Sequence, residues 1–444
     1  MQLNPAAPGH SLGRLELLAL GGLLFFLPLL EAPKNLLWLS FVLLWLGRAA
    51  FAQAGFGGAW QHRRDLPFAL LLAAASLACL LAPPFPQNWA EVGDVLRYAL
   101  FGWLLARSRI TDKQLRVILI ALLIGTLVAA VQGWWYWKIT GEKNLFELHS
   151  VGHTNHSAIY LTMVALGTLG ALLVLWPRLA NGWRIALLLV WLGMTWLIAA
   201  GESRGALLAY VPGAVVLLWV LIPRQQRVWL LATGGLALAA MLASSPYLVD
   251  KTLSQLQDPA AETKSSYRVE LARTGIEAFR QHPLGGIGPG NFHLADAGQV
   301  ANWLATRNET YHPERYFHSS HAHSLYFNTL AERGLPGGAA LLFLALVWLS
   351  RLRHTPNAAS PASGHPRSMK RQGWRLACKA FHANRPSQDT PDSLRAPLVW
   401  AIGMSGFVVV FVAGLFNTSL NHEHGLLAMF ALGLLLAETP NNQT

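Results

Sequence analysis

The chain has 444 residues, of which 53% are hydrophobic and only 13% are charged. A soluble protein carries about a quarter charged residues, so the composition excludes an ordinary soluble globular protein. It predicts a bundle of membrane helices, because a helix satisfies its own backbone polar groups in lipid. The formal net charge of +12 raises the question of nucleic-acid binding. The two cysteines, Cys79 and Cys378, lie in an apolar run and a basic loop, and they predict neither a disulfide framework nor a metal cluster.

Apolar runs close to the ~20 residues that cross a bilayer recur along the chain. The first follows Arg14 and leads into Pro28 rather than a small-residue cleavage site, so we expect it to be retained as the first span. The fold class is therefore an all-α polytopic membrane protein of about 12 transmembrane helices, with one long periplasmic loop that contains helices. The predicted spans are 14–30, 34–51, 66–82, 92–107, 114–137, 156–176, 184–200, 205–222, 227–245, 325–349, 397–416 and 424–438.

Lys and Arg residues mark the orientation, because they concentrate in the short cytoplasmic loops of inner-membrane proteins. They are abundant after the even-numbered spans, for example Arg63, Arg107, Arg178 and Arg224, and scarce after most odd-numbered ones. This pattern predicts a multi-pass protein of the bacterial inner membrane with both termini in the cytoplasm. The positive charge is then largely a topology signal, and nucleic-acid binding is excluded.

Five segments follow from this topology. Residues 1–245 hold the first nine spans, 246–323 form the periplasmic loop region and 324–350 form the tenth span. Residues 351–396 form a basic cytoplasmic loop, for which contact with anionic lipid is a secondary role, and 397–444 hold the last two spans and the C-terminal tail.

Polar side chains gather on the periplasmic face. The short loops 149–156, 201–205 and 421–424 face the same side as the long loop, and together they carry most of the 16 histidines. We therefore place the site at this face.

A helix is predicted within the periplasmic loop over 266–281. Ser265 or Ser266 can cap its start, and Pro283 ends it. An apolar stripe recurs at three- to four-residue spacing and consists of Val269, Ala272, Ile276 and Phe279. The glycines that follow, Gly285 to Gly290, lack the Lys-Ser/Thr of a phosphate-binding loop, so they favour a tight turn over a phosphate cradle. A lid hinged at these glycines is a further hypothesis.

Arg204 lies where the seventh span reaches the periplasmic face and the eighth begins. An interfacial anchor that extends to lipid headgroups is one interpretation. The tight turn Gly201-Glu-Ser-Arg-Gly205 favours a second one, because it holds the guanidinium at a defined point. A planar guanidinium matches phosphate oxygens with paired, charge-assisted hydrogen bonds.

Three histidines, His318, His321 and His323, directly precede the tenth span. Three alternatives remain open: a zinc site, a polar helix start, and an acid or base role for one imidazole. No carboxylate or cysteine lies nearby in the sequence to complete a zinc site. We therefore predict no metal and no cofactor.

Three motifs in order resemble the O-antigen ligase superfamily, which also holds O-antigen polymerases and protein O-oligosaccharyltransferases. His323-Ser324, nine residues and Gly334-Leu-Pro-Gly337 resemble its histidine–glycine signature. The SRGALLAY segment around Arg204 resembles its arginine motif, and Arg268 to Phe292 resembles the stretch that ends in its glycine pattern.

The resemblance implies a glycosyl transfer that uses no nucleotide sugar. The donor is expected to be an undecaprenyl-diphosphate-linked glycan and the acceptor a hydroxyl of the lipid A–core. Arg204 and Arg268 are expected to bind the diphosphate, and His323 to assist the attacking hydroxyl. Secondary substrate contacts are expected from four residues: Arg273, His321, His156 and Ser324.

Two other functions remain open. An O-antigen polymerase or a protein O-oligosaccharyltransferase uses the same lipid-linked donor, and the motifs separate these poorly from a ligase. A transporter of lipid-linked sugar is the alternative from another class. Against a transporter, the chain shows no paired half-sequences, and its polar residues gather at one face rather than at the midplane.

Overall fold

The computed structural model describes residues 10–51, 56, 59–222, 227, 235, 267–353 and 392–437. Most of these residues are helical. The helices that precede residue 223 are α1 (Arg14–Phe26), α2 (Glu31–Phe51), α3 (His62–Leu80), α4 (Trp89–Ala106), α5 (Asp112–Trp134), α6 (Thr154–Leu175), α7 (Asn181–Ala200) and α8 (Arg204–Leu221). Those after residue 266 are α9 (Arg268–Gln281), α10 (Ala297–Ala305), α11 (Leu325–Leu352), α12 (Asp392–Val408) and α13 (His422–Ala437).

Short irregular helices extend or join these elements. π-helices continue α5 over Trp135–Ile139 and α12 over Val409–Ala413, and 3₁₀-helices occupy Trp176–Arg178, Phe292–Leu294 and Pro313–Arg315. Two strands of two residues each, β1 (His10–Ser11) and β2 (Ser108–Arg109), pair in parallel.

Helices occupy eleven of the predicted spans, with ends shifted by a few residues. The ninth predicted span, 227–245, lies outside the described residues except for residues 227 and 235. Six helical segments of the described chain are long and apolar enough to cross a membrane, the longest being Asp112–Ile139 and Leu325–Leu352. The chain is therefore a multi-pass, all-α membrane protein.

The centre of the bundle consists of α6 and α13. Almost every residue of α13 from Glu423 to Leu436 is buried, and α6 is buried over most of its length. A helix that is apolar on all sides is buried in a protein core or spans a membrane. Here α4, α8 and α12 provide that environment, so the starts of α6 and α13 come together at one end of the bundle.

The opposite end of the bundle is basic. The buried Asp65 accepts hydrogen bonds from Arg107 Nε and Nη2 at 2.8 and 2.9 Å, and Arg395 at the start of α12 pairs with Asp112 at the start of α5. The N-terminal strand β1 pairs with β2 just after α4. Near its end, α13 packs on the same part of α4, since Gly433 lies against Leu105 and Gly102. Both the first described residues and the end of α13 thus lie at the basic end.

A second, smaller core lies at the other end and stabilises the loop region. It is formed by α9, α10 and the residues that flank them, and its buried members include Leu271, Ile287, Phe292, Val300 and Trp303. Asp296 caps α10 by accepting a hydrogen bond from Gln299 N at 2.8 Å. This core fixes the segment 283–323 against the start of α11.

The expected N-cap of α9 is wrong. The helix begins at Arg268, and its N-cap is Tyr267, in the left-handed region at φ 48°, instead of Ser265 or Ser266, which lie outside the described residues. The buried face consists of Leu271, Thr274, Gly275, Glu277 and Ala278, whereas Val269 of the predicted apolar stripe is 47% exposed. The reason is that small residues allow α9 to approach α11 closely, with Gly275 against Phe327.

Candidate active site

Five segments of the chain meet at the end of the bundle opposite the basic one. They are the start of α6, the α7–α8 turn, the start of α9, the residues before α11, and the segment 414–421 between α12 and α13. Thr154 Oγ1 donates to Gly201 O at 2.9 Å, which joins α6 to the α7–α8 turn. Leu325 N donates to Gly414 O and Asn417 O at 2.8 and 3.1 Å, which joins α11 to the segment 414–421.

Arg204 and Arg268 are each the first residue of a helix, α8 and α9 respectively. Both helix starts lie against Phe416. Gly205 packs on its side chain, and the Arg268 guanidinium carbon lies 5.3 Å from its ring centroid. The turn before Arg204 places Glu202 at φ 53°, which fixes the direction in which α8 leaves the face.

The environment of these arginines suits an anion. Burial, and next the positive charge of Arg204, lowers the pKa of Arg268 from its ordinary value. A nearby phosphate relieves this repulsion, because it is attracted to both cations. The N-termini of α8 and α9 add partial positive charge at the same place.

His323 lies beside this pair of arginines. Its φ of 48° is in the left-handed region, a conformation that costs energy for a residue with a Cβ. The side chain of His323 hydrogen-bonds to that of Asn417. Burial has the largest effect on the pKa of His323 and the charge of Arg268 the next largest, and both lower it from the ordinary value. The imidazole is therefore neutral at pH 7 and able to accept a proton.

His321 and Ser324 flank His323 and differ in their partners. The rings of His321 and His323 are 4.6 Å apart between centroids, and His321 Nδ1 lies 2.8 Å from Ser320 Oγ. Burial lowers the pKa of His321 to about 4. The Ser324 hydroxyl is buried and donates to Gly414 O at 3.4 Å, so it holds the segment 414–421 against α11.

His318 does not join the other two histidines. Its Nδ1 lies 2.8 Å from Ala295 O in the second, smaller core. In the parts of the chain that the structure describes, no three His, Cys, Asp or Glu side chains are placed to hold a metal ion together.

His156, at the start of α6, lies among further histidines, and its electrostatic interaction with His321 links it to the residues that precede α11. Its ring stacks on that of His424, with centroids 5.1 Å apart, and meets the ring of His422 edge-on at 4.9 Å. The sequence placed residues 421–424 at this face but did not single out His422 or His424. Their nearness to His156 depends on the packing of α13 against α6, for which the sequence carries no local signal.

Arg273 lies away from the arginine pair. It is five residues beyond Arg268, about 140° further around the helix, and its side chain is exposed. The structure thus brings Arg204, Arg268, His321 and His323 together and leaves Arg273 outside the group. Two neighbours of this group, Phe416 and Asn417, were not anticipated.

The glycine-rich segment joins the loop region that holds α9 and α10 to α11 through backbone contacts. Ile287 N and Gly288 N donate to Ala331 O and Glu332 O at 2.9 and 3.0 Å, and Leu335 N donates to Pro283 O at 2.8 Å. The buried Glu332 also accepts from Phe292 N at 3.4 Å. A Cβ on Gly286, at φ 67°, would lie 2.3 Å from the Glu332 carbonyl carbon.

These glycines therefore form the predicted tight turn, and they permit two backbones to touch. Gly334 has the same function on the other side of the contact, where α11 is kinked by its non-helical φ of 58° and ψ of −156°. The glycine motif and the histidine–glycine motif therefore contact each other in the structure. This contact fixes the residues on either side of it, including His323.

Comparison with known proteins agrees with these motifs. A model of the O-antigen ligase family matches residues 187–342, a range that contains Arg204, Arg268, His323 and both glycine motifs. A search of curated proteins found no significant match. The matched range, the order of its motifs and the helical membrane fold support membership of the chain in the O-antigen ligase superfamily.

Proposed function

We propose that the protein is an O-antigen ligase of the bacterial inner membrane. It transfers O-antigen glycan from undecaprenyl diphosphate to a sugar hydroxyl of the lipid A–core at the periplasmic face, and thereby completes lipopolysaccharide. The observation that carries the proposal is the meeting of Arg204, Arg268 and His323 around Phe416 and Asn417. Cations for a leaving diphosphate and a neutral base for a hydroxyl are the two groups that this reaction needs.

The transfer is a displacement at the anomeric carbon of the donor sugar. The acceptor oxygen forms the new bond to that carbon while the bond to the diphosphate oxygen breaks, and its electron pair passes to the diphosphate. Arg204 and Arg268 stabilise the negative charge that develops there. His323 accepts the proton of the attacking hydroxyl. Attack opposite the leaving group inverts the anomeric centre.

This mechanism requires no metal ion. Two guanidinium groups and two helix N-termini supply the positive charge that a divalent cation supplies in many phosphate-dependent enzymes. A lipid diphosphate is itself a good leaving group, so the reaction requires no strong general acid.

A reconstituted transfer assay tests the proposal. Purified protein in detergent receives an undecaprenyl-diphosphate glycan and lipid A–core in the presence of EDTA. We expect glycan on lipid A–core, and a decrease of at least about 10²-fold in Arg204→Ala and His323→Ala, as for the loss of a group that stabilises a transition state. Arg280→Ala is the matched control, because Arg280 is exposed and lies on the far part of α9.

The other outcomes identify the alternatives. Longer lipid-linked chains without the acceptor indicate a polymerase, and glycan on a serine- or threonine-containing protein indicates an oligosaccharyltransferase. An intact donor with every acceptor refutes the proposed enzyme and favours a transporter.

A further inference from the structure

A cavity of about 370 Å³ opens beside His321. It lies between α3, the start of α4, the first half of α11, the glycine-rich segment and the residues that precede α13. Its polar lining includes Glu91, Asp94, His321, Asn328 and Arg333, and its apolar wall includes Leu71, Leu325 and Leu341. This volume is in the range of small-molecule sites, which combine apolar walls with a few placed polar groups.

Two of the three carboxylates that line the cavity belong to α4. Glu91 and Asp94 are three residues apart, so they lie on the same side of that helix, and both line the cavity. The third carboxylate, Glu332, already accepts a hydrogen bond from Phe292 N. The side-chain oxygen of Asn328 accepts a hydrogen bond from Ala322 N at 3.0 Å. The side-chain NH₂ group of Asn328 is then the part that can donate to a ligand.

The chemistry of this lining suits a sugar better than a phosphate. An ionised carboxylate accepts hydrogen bonds through two oxygens, so it can bind two neighbouring hydroxyls of one sugar ring. The same negative charge repels a diphosphate. Arg333 also lines the cavity, where its positive charge acts on Glu91, whereas Arg204 and Arg268 do not line it.

The site residues follow one another in space from the arginines to the cavity. Arg204 acts electrostatically on Arg268, Arg268 acts on His323, and the ring of His323 lies 4.6 Å from that of His321, measured between centroids. His321 is a wall of the cavity. A molecule in the cavity therefore lies next to His321, whose ring adjoins that of His323.

We propose that this cavity binds the terminal sugar of the acceptor, with Glu91 and Asp94 accepting hydrogen bonds from its hydroxyls. The inference rests on the proposed function, because it assigns the second substrate of that reaction. Glu91 and Asp94 precede the family match at 187–342. The N-terminal part of the chain then determines which acceptor is used, while the matched part holds the donor and the reacting groups.

Steady-state kinetics with the two substrates varied separately provide the first test. The variants are Glu91→Gln, Asp94→Asn and the double variant, which keep the side-chain shape and remove the charge. We expect the double variant to raise the KM for lipid A–core at least about 10-fold, which is the loss of one to two charge-assisted hydrogen bonds. The KM for the donor and the kcat at saturating acceptor should change less than about 2-fold.

Glu314→Gln is the matched control, since its carboxylate lies on the same face of the protein, is 72% exposed and does not line the cavity. We expect it to behave like the wild type. An increase in the KM for the donor instead of the acceptor would overturn the inference, because the cavity would then hold the donor glycan. Unchanged values for both substrates would overturn it as well.

A binding measurement separates failure of this inference from failure of the proposed reaction. Core oligosaccharide, released from lipid A–core by mild acid, is titrated into the purified protein by calorimetry without donor. We expect binding by the wild type and by Glu314→Gln, and at least about 10-fold weaker binding by the double variant. Equal binding by all of them, or none by the wild type, refutes the acceptor cavity whether or not transfer is observed.

Discussion

His323 is the residue on which the pH dependence of the proposed reaction depends. Burial and the charge of Arg268 lower its pKa from the ordinary value of 6.5, so the neutral imidazole persists to a lower pH than in water. Activity that needs the neutral form is retained at neutral pH and lost as the pH falls through the lowered pKa. We therefore expect the acid limb of kcat/KM to lie below pH 6.5, measured between pH 4.5 and 8. A limb at or above pH 6.5 contradicts the assignment of His323 as the base.

Asn417 is predicted to position His323. The hydrogen bond between their side chains raises the pKa of His323, although burial and Arg268 outweigh it. Asn417→Ala should thus lower kcat several-fold and move the acid limb of the pH profile to a still lower pH. A loss of activity with an unchanged profile would mean that Asn417 supports only the fold.

At the scale of elements, the contact between the glycine-rich segment and α11 is the most demanding feature. Gly334 combines φ 58° with ψ −156°, a region that is essentially restricted to glycine, and a Cβ there would lie 2.6 Å from Pro283 O. Gly334→Ala should lower the free energy of unfolding by at least about 1–3 kcal/mol, measured by thermal unfolding in detergent. Gly193→Ala in α7 is the control, since a Cβ at Gly193 meets no atom within 4 Å. Equal stability of the two variants would contradict a steric role for Gly334.

The elements also show which parts of the site could be predicted. Hydropathy located the helices, and the motifs correctly grouped Arg204, Arg268 and His323, because each stands next to a local signal such as a turn or a span boundary. Phe416 and Asn417 were missed. They lie in a segment without a motif of its own, and they reach the site only because α12 and α13 pack on α6 and α11. The buried face of α9 was missed for a related reason, since Gly275 and Thr274 are buried by close helix contact and not by hydrophobicity.

At the scale of the whole molecule, a buried ion pair ties distant helices together at the site end. Lys34, in the first turn of α2, contacts Glu423 of α13 and donates to Ser150 Oγ at 2.9 Å. The charged side chains of the pair are 4% and 6% exposed. Lys34→Met leaves the Glu423 carboxylate buried without its cation, which we expect to cost about 3–5 kcal/mol.

A double variant provides the control for this prediction. Lys34→Met combined with Glu423→Leu removes both charges, and it should recover most of the lost stability, because an apolar pair of similar volume replaces a buried ion pair at little cost. Thermal unfolding in detergent measures both. Equal destabilisation of the single and double variants would show that the pair contributes by packing alone.

The proposed reaction requires a particular orientation of the bundle in the membrane, with the basic end in the cytoplasm and the site in the periplasm. Arg64, Arg107 and Arg395 lie at one end, where Asp65 and Asp112 bind them, and the site lies at the other. If positive residues stay in the cytoplasm, Asn308 of the loop region is periplasmic and Cys378 of the basic loop is cytoplasmic.

In cells with a permeabilised outer membrane, a membrane-impermeant maleimide should label Asn308→Cys in a Cys378→Ser background. It should label Cys378 of the wild type only after the inner membrane is also opened, because Cys79 is fully buried. The reverse pattern would place the arginine–histidine group at the cytoplasmic face and would contradict the proposed transfer at the periplasmic face.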